Sequence, residues 1–258
     1  MTESDRLREV TFRSAEVLCD VVREMDVTQD ELHAAAGFLN RLGEAGVFPS
    51  MLDIGFAMTV IDREREGALG TRPNLEGPEY RPGAPERPGG SLLEQEPGAG
   101  AQMLTLTGTV TDVATGEPIE GVELDFWHAD EHGGYDRDGW HLRGVVRTGE
   151  GGTYTARTLL PKDYAEHEGD PIGELLEMMG RDRYRAAHIH LKVRVGGEEW
   201  LTTQVFRGDS PYLETDYVIG AVSDDLVLDL QQSGSGEGRE EFDAVFDLAL
   251  EAPAGAGR

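Results

Sequence analysis

Residues 104–111, Leu-Thr-Leu-Thr-Gly-Thr-Val-Thr, alternate between apolar and polar side chains for most of their length. Because successive side chains of a strand point to opposite faces, this period of two predicts a β-strand with one buried face. A second alternation, Val-Glu-Leu-Asp-Phe-Trp, occupies residues 122–127, and the turn-forming sequence Thr-Gly-Glu-Pro at 115–118 separates the two. The pattern predicts two strands joined by a turn.

Further short segments of the same type follow along the chain, and turn-forming residues separate them. A series of short strands at this spacing is typical of a β-sandwich, which we therefore predict. One helix interrupts the series, since Pro171 suits a first helical turn and Gly180 suits the end of a helix. The additional predicted strands are 144–148, 153–159, 187–195, 200–206 and 226–230.

Upstream of the strands, apolar residues follow a helical period instead. Between positions 18 and 25 they recur with the i, i+3, i+4, i+7 spacing of one helix face. Thr28 and Glu31 form a capping box that starts a second helix, and Pro49 starts a third that runs to about Asp62. We expect a mainly β protein with added helices, divided into a helical region (1–66), a Pro- and Gly-rich linker (67–103), a β-sandwich (104–251) and a disordered tail (252–258).

The charge balance excludes several classes of partner. The 258 residues include 23 Lys and Arg against 50 Asp and Glu, a net charge of −27. Nucleic acids and anionic membranes bind basic surfaces, so neither is expected as a partner. No apolar run approaches the roughly 20 residues of a membrane-spanning helix, and the N-terminus shows no secretory signal, so we expect a cytoplasmic protein. The single cysteine, Cys19, cannot form an internal disulfide and is expected to be buried.

The sequence Ala-His-Ile-His-Leu-Lys-Val at 187–193 is the first candidate for a chemical site. On a strand, His188 and His190 share one face, so their imidazoles could bind one metal ion. His-x-His alone also fits two histidines that hydrogen-bond to polar neighbours. A second pair, His128 and His132, has the i, i+4 spacing of a metal-binding helix but follows a predicted strand, so a turn is expected there.

Two tyrosines lie in loops of the same region. Tyr135 follows two glycines, and Tyr164 follows Leu-Pro-Lys-Asp. A ferric ion is a hard cation that can remove the proton from a phenol, whose reference pKa is near 10. Two phenolates and two imidazoles would suit Fe(III) better than Zn(II). The residues alone leave open a zinc hydrolase, or a metal-free binding module in which these side chains only pack.

Five segments carry a family resemblance. They are LEGPEYRPGAP (75–85), GTVTDVATGEPIEGVELDFWHADEHGGYD (108–136), RTLLPKDY (157–164), GELLEMMGRDRYRAAHIHLKV (173–193) and LTTQVFRGDSPYL (201–213). Together they resemble the intradiol ring-cleaving dioxygenases, in the catechol and hydroxyquinol 1,2-dioxygenase branch. The combination and spacing are highly specific, and with the helical N-terminal region the resemblance covers nearly the whole chain.

The resemblance implies a mononuclear non-haem Fe(III) centre that cleaves a catechol-type ring with O2. Arg185 matches an arginine that stabilises negative charge on the ring, and Gln204 matches a glutamine behind the site. On charge alone, Arg185 would be expected to form a structural ion pair in so acidic a chain. The implied metal ligands are Tyr135, Tyr164, His188 and His190, of which the substrate displaces Tyr164.

The same matching implies a substrate pocket built in part by the linker. The substrate would be catechol, giving cis,cis-muconate, or hydroxyquinol, giving maleylacetate. Glu79 stands where the family usually has an apolar residue, and it either faces solvent or faces the ring and selects an extra hydroxyl or amino group. Ala186 replaces a usual proline. The resemblance also implies a homodimer joined through the N-terminal helices, which bind a lipid in this branch. The pocket positions are Asp53, Leu75, Pro78, Glu79, Tyr217 and Val218.

Overall fold

A computed structural model describes residues 2–98, 100–236 and 238–252. The predicted tail, 252–258, lies outside these residues apart from Ala252. The chain divides into two compact units, residues 1–49 and 50–258, and the boundaries expected at 66 and 103 stay predictions. Within the described ranges, no helix is both long and apolar enough to cross a membrane.

Two helices make up most of the first unit, α1 (Glu3–Glu24) and α2 (Gln29–Glu44). The predicted capping box is confirmed at α2, where the Glu31 backbone N–H donates to the Thr28 hydroxyl and the Thr28 N–H donates back to the Glu31 carboxylate. The expectation that Cys19 is buried is wrong. No residue of α1 is buried within this chain, so the thiol is exposed together with the apolar side chains around it.

The third predicted helix is interrupted by a π-helical turn. It consists of α3 (Phe48–Leu52), the π-helical turn (Asp53–Ala57) and α4 (Met58–Glu64). Such wide turns occur frequently at functional sites. The predicted helix at Pro171 is confirmed as α5 (Pro171–Met178), and the Asp170 carboxylate caps it by accepting hydrogen bonds from two backbone N–H groups of the first turn.

The described residues contain strands of very different lengths. The seven strand positions predicted from sequence all contain a strand, although the last is only two residues long. The strands are β1 (Gln102–Asp112), β2 (Glu123–His128), β3 (Arg143–Arg147), β4 (Thr153–Leu159), β5 (Tyr164–Ala165), β6 (Tyr184–Arg185), β7 (His188–Val195), β8 (Glu198–Arg207), β9 (Val227–Leu228), β10 (Gln231–Gly236), β11 (Arg239–Val245) and β12 (Leu248–Leu250).

All of these strands except β5 and β6 form the predicted β-sandwich from two five-stranded sheets. One sheet has the order β10-β11-β1-β12 with β4 paired to β1, and the other has the order β3-β2-β7-β8-β9. β1 pairs in parallel with β11 and β12 and antiparallel with β4. The short strands β5 and β6 form a separate antiparallel ladder that sets Tyr164 opposite Arg185.

Burial differs between the two sheets. In β1 the predicted alternation is confirmed, because Leu104, Leu106 and Val110 are buried while the intervening threonines are half-buried. In β2 and β7 nearly every residue is buried, so both faces of these strands are covered. The two histidines of β7 therefore lie inside the protein rather than on an outer surface.

Candidate active site

His188 and His190 project from one face of β7, as the strand alternation predicts. Both side chains are buried, and their Nε2 atoms lie 3.1 Å apart. The Nδ1 atom of His188 lies 2.6 Å from the Ala186 carbonyl oxygen, so this nitrogen is the donor and Nε2 keeps a free lone pair. Burial lowers the pKa of both histidines well below the usual value, so both imidazoles are neutral.

Tyr135 and Tyr164 bring two phenol oxygens to the same place. Tyr135 lies in the loop after β2, Tyr164 begins β5, and their hydroxyl oxygens are 3.4 Å apart. The loop can approach this closely because Gly133 has no side chain. Gly133 has a φ of +83°, and a Cβ added to it would lie 2.7 Å from Cβ of Tyr164.

The four predicted ligands form one cluster. The ring centres of Tyr164 and His188 are 5.7 Å apart, and those of Tyr135 and His190 are 6.3 Å apart. Each tyrosine therefore faces one histidine, and two nitrogens and two oxygens converge from three separate parts of the sequence.

This donor set fits a hard trivalent cation. Burial raises the pKa of Tyr135 to about 12 and that of Tyr164 well above its usual value, so both phenols are protonated when no cation is bound. A nearby multivalent cation favours the charged form and reverses such shifts, while neutral imidazoles offer lone pairs without a competing proton. In the described part of the chain, no group of three or more His, Cys, Asp or Glu side chains could hold a metal ion.

Arg185 is buried beside the cluster and is held on two sides. Its Nε lies 3.0 Å from both carboxylate oxygens of Asp216, and its Nη2 donates to Oε1 of Gln204 at 3.0 Å. Burial lowers the pKa of Arg185, but the negative charge of Asp216 and its hydrogen bond outweigh this effect and raise the pKa overall. The ion pair expected from charge alone is confirmed, and it keeps a permanent cation next to Tyr164.

Gln204 and the linker cover the other side of the histidines. Gln204 stands opposite His190 in the β7–β8 pairing, and its Nε2 donates to the Leu75 carbonyl oxygen at 2.8 Å. Two residues further on, Gly77 has a φ of +73°, and a Cβ added there would lie 3.3 Å from Cε1 of His190. The structure thus brings Leu75 and the backbone of the linker to the cluster.

Glu79 follows neither of the two expectations fully. Its side chain is 19% exposed, and its carboxylate lies 2.5 Å from Nη2 of Arg137 and 3.9 Å from Nη2 of Arg143. The carboxylate therefore interacts with arginine side chains, and it is neither free in solvent nor free to bind the ring. Its charge still contributes to the raised pKa of Tyr135.

The remaining pocket candidates fall into two groups. Tyr217 and Val218 are buried, and the guanidinium carbon of Arg185 lies 5.8 Å from the ring centre of Tyr217. Asp53 and Pro78 are exposed. Among the described residues, Asp53 forms no hydrogen bond or ion pair with the other candidates, so nothing in its contacts connects it to the cluster.

Three residues near the cluster were not singled out from the sequence. Trp127 stacks on His190 with ring centres 4.7 Å apart and planes inclined by 5°. Asp216 holds Arg185, and Glu166 contacts the hydroxyl of Tyr217. Trp127 and Glu166 lie within or beside the motif segments, but only the tertiary contacts reveal what they touch.

The second histidine pair is not a metal site. His128 is buried, with Nδ1 lying 2.7 Å from the Ala129 carbonyl oxygen and Nε2 lying 2.6 Å from the Thr158 hydroxyl. Its two ring nitrogens are therefore satisfied by the protein. His132 is exposed in the turn that follows β2, as predicted.

Comparison with known families defines the class of this protein. A family model described as "Dioxygenase" matches residues 75–252, and one described as "Catechol dioxygenase N terminus" matches residues 4–70. The chain is therefore a dioxygenase by class. It belongs to the intradiol ring-cleavage dioxygenase family, and the alternatives of a zinc hydrolase and a metal-free module are set aside.

The individual relatives of this chain are named for different substrates. The chain is 32% identical over 254 residues to the hydroxyquinol 1,2-dioxygenase of Rhizobium sp. (strain MTP-10005), covering 93% of this chain and 84% of that protein. It is 31% identical over 233 residues to the catechol 1,2-dioxygenase of Pseudomonas sp. (strain EST1001), covering 86% and 77%. The crystal structure of 3-chlorocatechol 1,2-dioxygenase from Rhodococcus opacus 1CP has a TM-score of 0.85 at 28% identity, covering 97% and 100%.

Proposed function

We propose that this enzyme binds one Fe(III) through Tyr135, Tyr164, His188 and His190 and uses O2 to cleave catechol to cis,cis-muconate. The observation that carries the proposal is the convergence of two neutral imidazole nitrogens, 3.1 Å apart, with two phenol oxygens, 3.4 Å apart. The bond between the two hydroxylated carbons breaks, and the two atoms of O2 end in the two new carboxylates. The bound iron would supply the Lewis acidity that makes the diol reactive towards O2.

Tyr164 would act as the base during substrate binding. A diol that binds as a dianion must lose two protons, and Oη of Tyr164, as a phenolate, would accept one of them while the other leaves to solvent. Tyr164 suits this role because burial and the neighbouring charge of Tyr135 raise its pKa, which makes its protonated form the more stable one away from the cation.

Arg185 would stabilise negative charge that develops on the ring. Its Nε and Nη2 are held by Asp216 and Gln204, so the cation is already oriented before the substrate arrives. A fixed cation in a buried site stabilises developing charge without reorganising during the reaction. Gln204 would act through Arg185 and Leu75, whose positions it fixes by two hydrogen bonds.

Hydroxyquinol is the second candidate substrate, with maleylacetate as the product. It is favoured by the half-buried carboxylate of Glu166 near the cluster, because this group could accept a hydrogen bond from a third ring hydroxyl. The hydroxyquinol enzyme of Rhizobium is also as similar to this chain as the catechol enzyme of Pseudomonas.

Both parts of the proposal can be tested on the iron-loaded enzyme. We expect broad visible absorption from phenolate bound to Fe(III), and consumption of one O2 for each ring cleaved, with the product identified by mass. Tyr135→Phe should lose most of the visible absorption, whereas Tyr212→Phe, a matched change outside the cluster, should keep it. A colourless iron-loaded protein, or equal colour in the two variants, would contradict the ligand set.

A panel of catechol, hydroxyquinol, chlorocatechols and protocatechuate separates the two substrates by kcat/KM. The proposal requires catechol or hydroxyquinol to be cleaved with the highest value. Preference for protocatechuate, whose carboxylate would meet Glu79 and Glu166, would contradict it.

A further inference from the structure

A carboxylate that belongs to none of the predicted site residues lies beside Tyr164. Glu166 follows Tyr164 by two residues, and its backbone N–H donates to the Arg183 carbonyl oxygen at 3.1 Å, which continues the β5–β6 ladder by one residue. Because side chains two residues apart on an extended strand share a face, Glu166 lies on the Tyr164 side of this ladder. Its charge contributes to the raised pKa of both Tyr135 and Tyr164.

Tyr217 holds this carboxylate in place. The Tyr217 hydroxyl donates to Oε2 of Glu166, and the Tyr217 ring is itself buried. The ring of His167 packs edge-on against that of Tyr217, with centres 5.7 Å apart, and the guanidinium carbon of Arg185 lies 5.8 Å from the centre of the Tyr217 ring. Glu166 is thus fixed by the same tyrosine that adjoins the buried cation of the site.

The carboxylate of Glu166 has unused hydrogen-bonding capacity. Tyr217 is its one side-chain donor among the described residues, and no Lys, Arg or His of the described ranges forms an ion pair with it. A carboxylate can accept about four hydrogen bonds, and leaving a half-buried one unpaired is costly. Glu79 differs in this respect, because Arg137 pairs with it and Arg143 lies near it. The open acceptor beside the cluster is therefore Glu166.

We propose that Glu166 is a specificity-determining residue that accepts a hydrogen bond from a donor substituent on the ring of the bound diol. The substrates that it favours are catechols bearing a hydroxyl or an ammonium group, in preference to catechols bearing hydrogen, methyl or carboxylate at that position. This inference rests on the proposed ring cleavage and, of the two candidate substrates, it favours hydroxyquinol over catechol.

The test compares kcat/KM ratios in iron-loaded enzyme. The substrates are catechol, 4-methylcatechol, hydroxyquinol and 4-(aminomethyl)catechol. The kcat/KM of each of the last three is divided by the kcat/KM of catechol. In Glu166→Leu, the ratios for the two donor-bearing rings should fall by about tenfold or more, as expected when a half-buried charged acceptor is lost. The ratio for 4-methylcatechol should not fall. Glu168→Leu, which removes an exposed carboxylate from the same segment, should leave all ratios within about twofold of those of the parent enzyme.

Glu166→Gln separates the two donors and keeps the side-chain shape if the leucine variant fails to fold. A neutral amide still accepts from a hydroxyl, so the ammonium-bearing substrate should lose more than hydroxyquinol. Anaerobic titration of each diol, followed by the change in visible absorption, should show the same order in Kd. Ratios in Glu166→Leu and Glu166→Gln that match the parent enzyme would overturn the inference while catechol cleavage stands. Failure of the iron-loaded parent enzyme to cleave any of the four diols would instead overturn the proposed function and this inference with it.

Discussion

At the scale of single residues, His190 is the most informative, because its Nδ1 lacks a hydrogen bond in the described part of the chain. The Nδ1 of His190 is buried and has no hydrogen-bond partner among the described residues, whereas that of His188 donates to the Ala186 carbonyl. Metal-binding histidines are usually oriented through the nitrogen that faces away from the metal. For His190, stacking on Trp127 is the contact available to fix the ring plane.

We therefore predict that Trp127→Leu weakens iron binding. Without the flat indole, the His190 ring can rotate away from His188, so we expect iron retention after dialysis against a chelator to fall several-fold and the visible band to broaden or shift. Iron per chain, measured by elemental analysis, and the absorption spectrum check this. Trp127→Phe is the matched control, because it keeps an aromatic face and should retain most of the iron. Equal iron loss in both variants would point to general loss of packing instead.

A site residue could be predicted from the sequence where its evidence lies within one short segment. His188 and His190 were found because two positions on one strand share a face, which is a property of the sequence alone. Tyr135 and Tyr164 needed the family resemblance, since nothing local brings two loops together. Glu166 carried no signal of its own, because an acidic residue in a chain with 50 of them is indistinguishable from solvated surface until its contacts are known.

At the scale of elements, the sandwich was predictable wherever strands have a buried face and an exposed one. β1 shows this, with apolar residues inside and threonines at the edge of the core. β10 and β11 were missed because Gln-Gln-Ser-Gly-Ser-Gly and Arg-Glu-Glu-Phe-Asp-Ala-Val lack a regular apolar alternation, and β12 was missed because it is only three residues long. These strands are ordered by backbone pairing with each other and with β1, and tertiary pairing of this kind overrides local propensity.

The loop after β2 shows how one element supports the site through a glycine. Gly133→Ala would place a methyl group 2.7 Å from Cβ of Tyr164 at a φ of +83°, where side chains are also strained. We expect Tyr135 and Tyr164 to move apart, with weaker visible absorption from the iron-loaded protein and kcat lowered by about tenfold or more, as misplaced catalytic groups typically cause. Gly134→Ala is the matched control, since its nearest neighbour would be an Asp130 carboxylate oxygen at 3.4 Å. Indistinguishable spectra for the two variants would show that this close approach does not position the tyrosines.

At the scale of the whole molecule, the large negative charge and the uncovered first helix act in opposite directions. A net charge of −27 favours solubility and repels other acidic chains. α1 nevertheless exposes apolar side chains along its whole length, and exposed apolar patches of this kind often mark protein interfaces. The expected homodimer would bury this surface, and it would also cover Cys19, which is exposed in the single chain.

One stripe of α1 allows the dimer to be tested without shortening the protein. Leu7, Leu18 and Met25 are 68%, 64% and 69% exposed, and 3.6 residues per turn places all three on nearly the same line. Replacing all three by serine removes the apolar stripe, so we expect light scattering coupled to gel filtration to give a dimer for the parent protein and a monomer for this variant. The matched control, Glu9→Ser with Glu16→Ser, changes the opposite face of α1 and removes two negative charges, so it should stay dimeric. A parent protein that is monomeric at micromolar concentration, or a triple variant that is still dimeric, would show that the first helix does not join two chains.

Because the four candidate ligands all lie within residues 50–258, the monomeric variant should still bind one iron per chain, which separates assembly from the chemistry of the site.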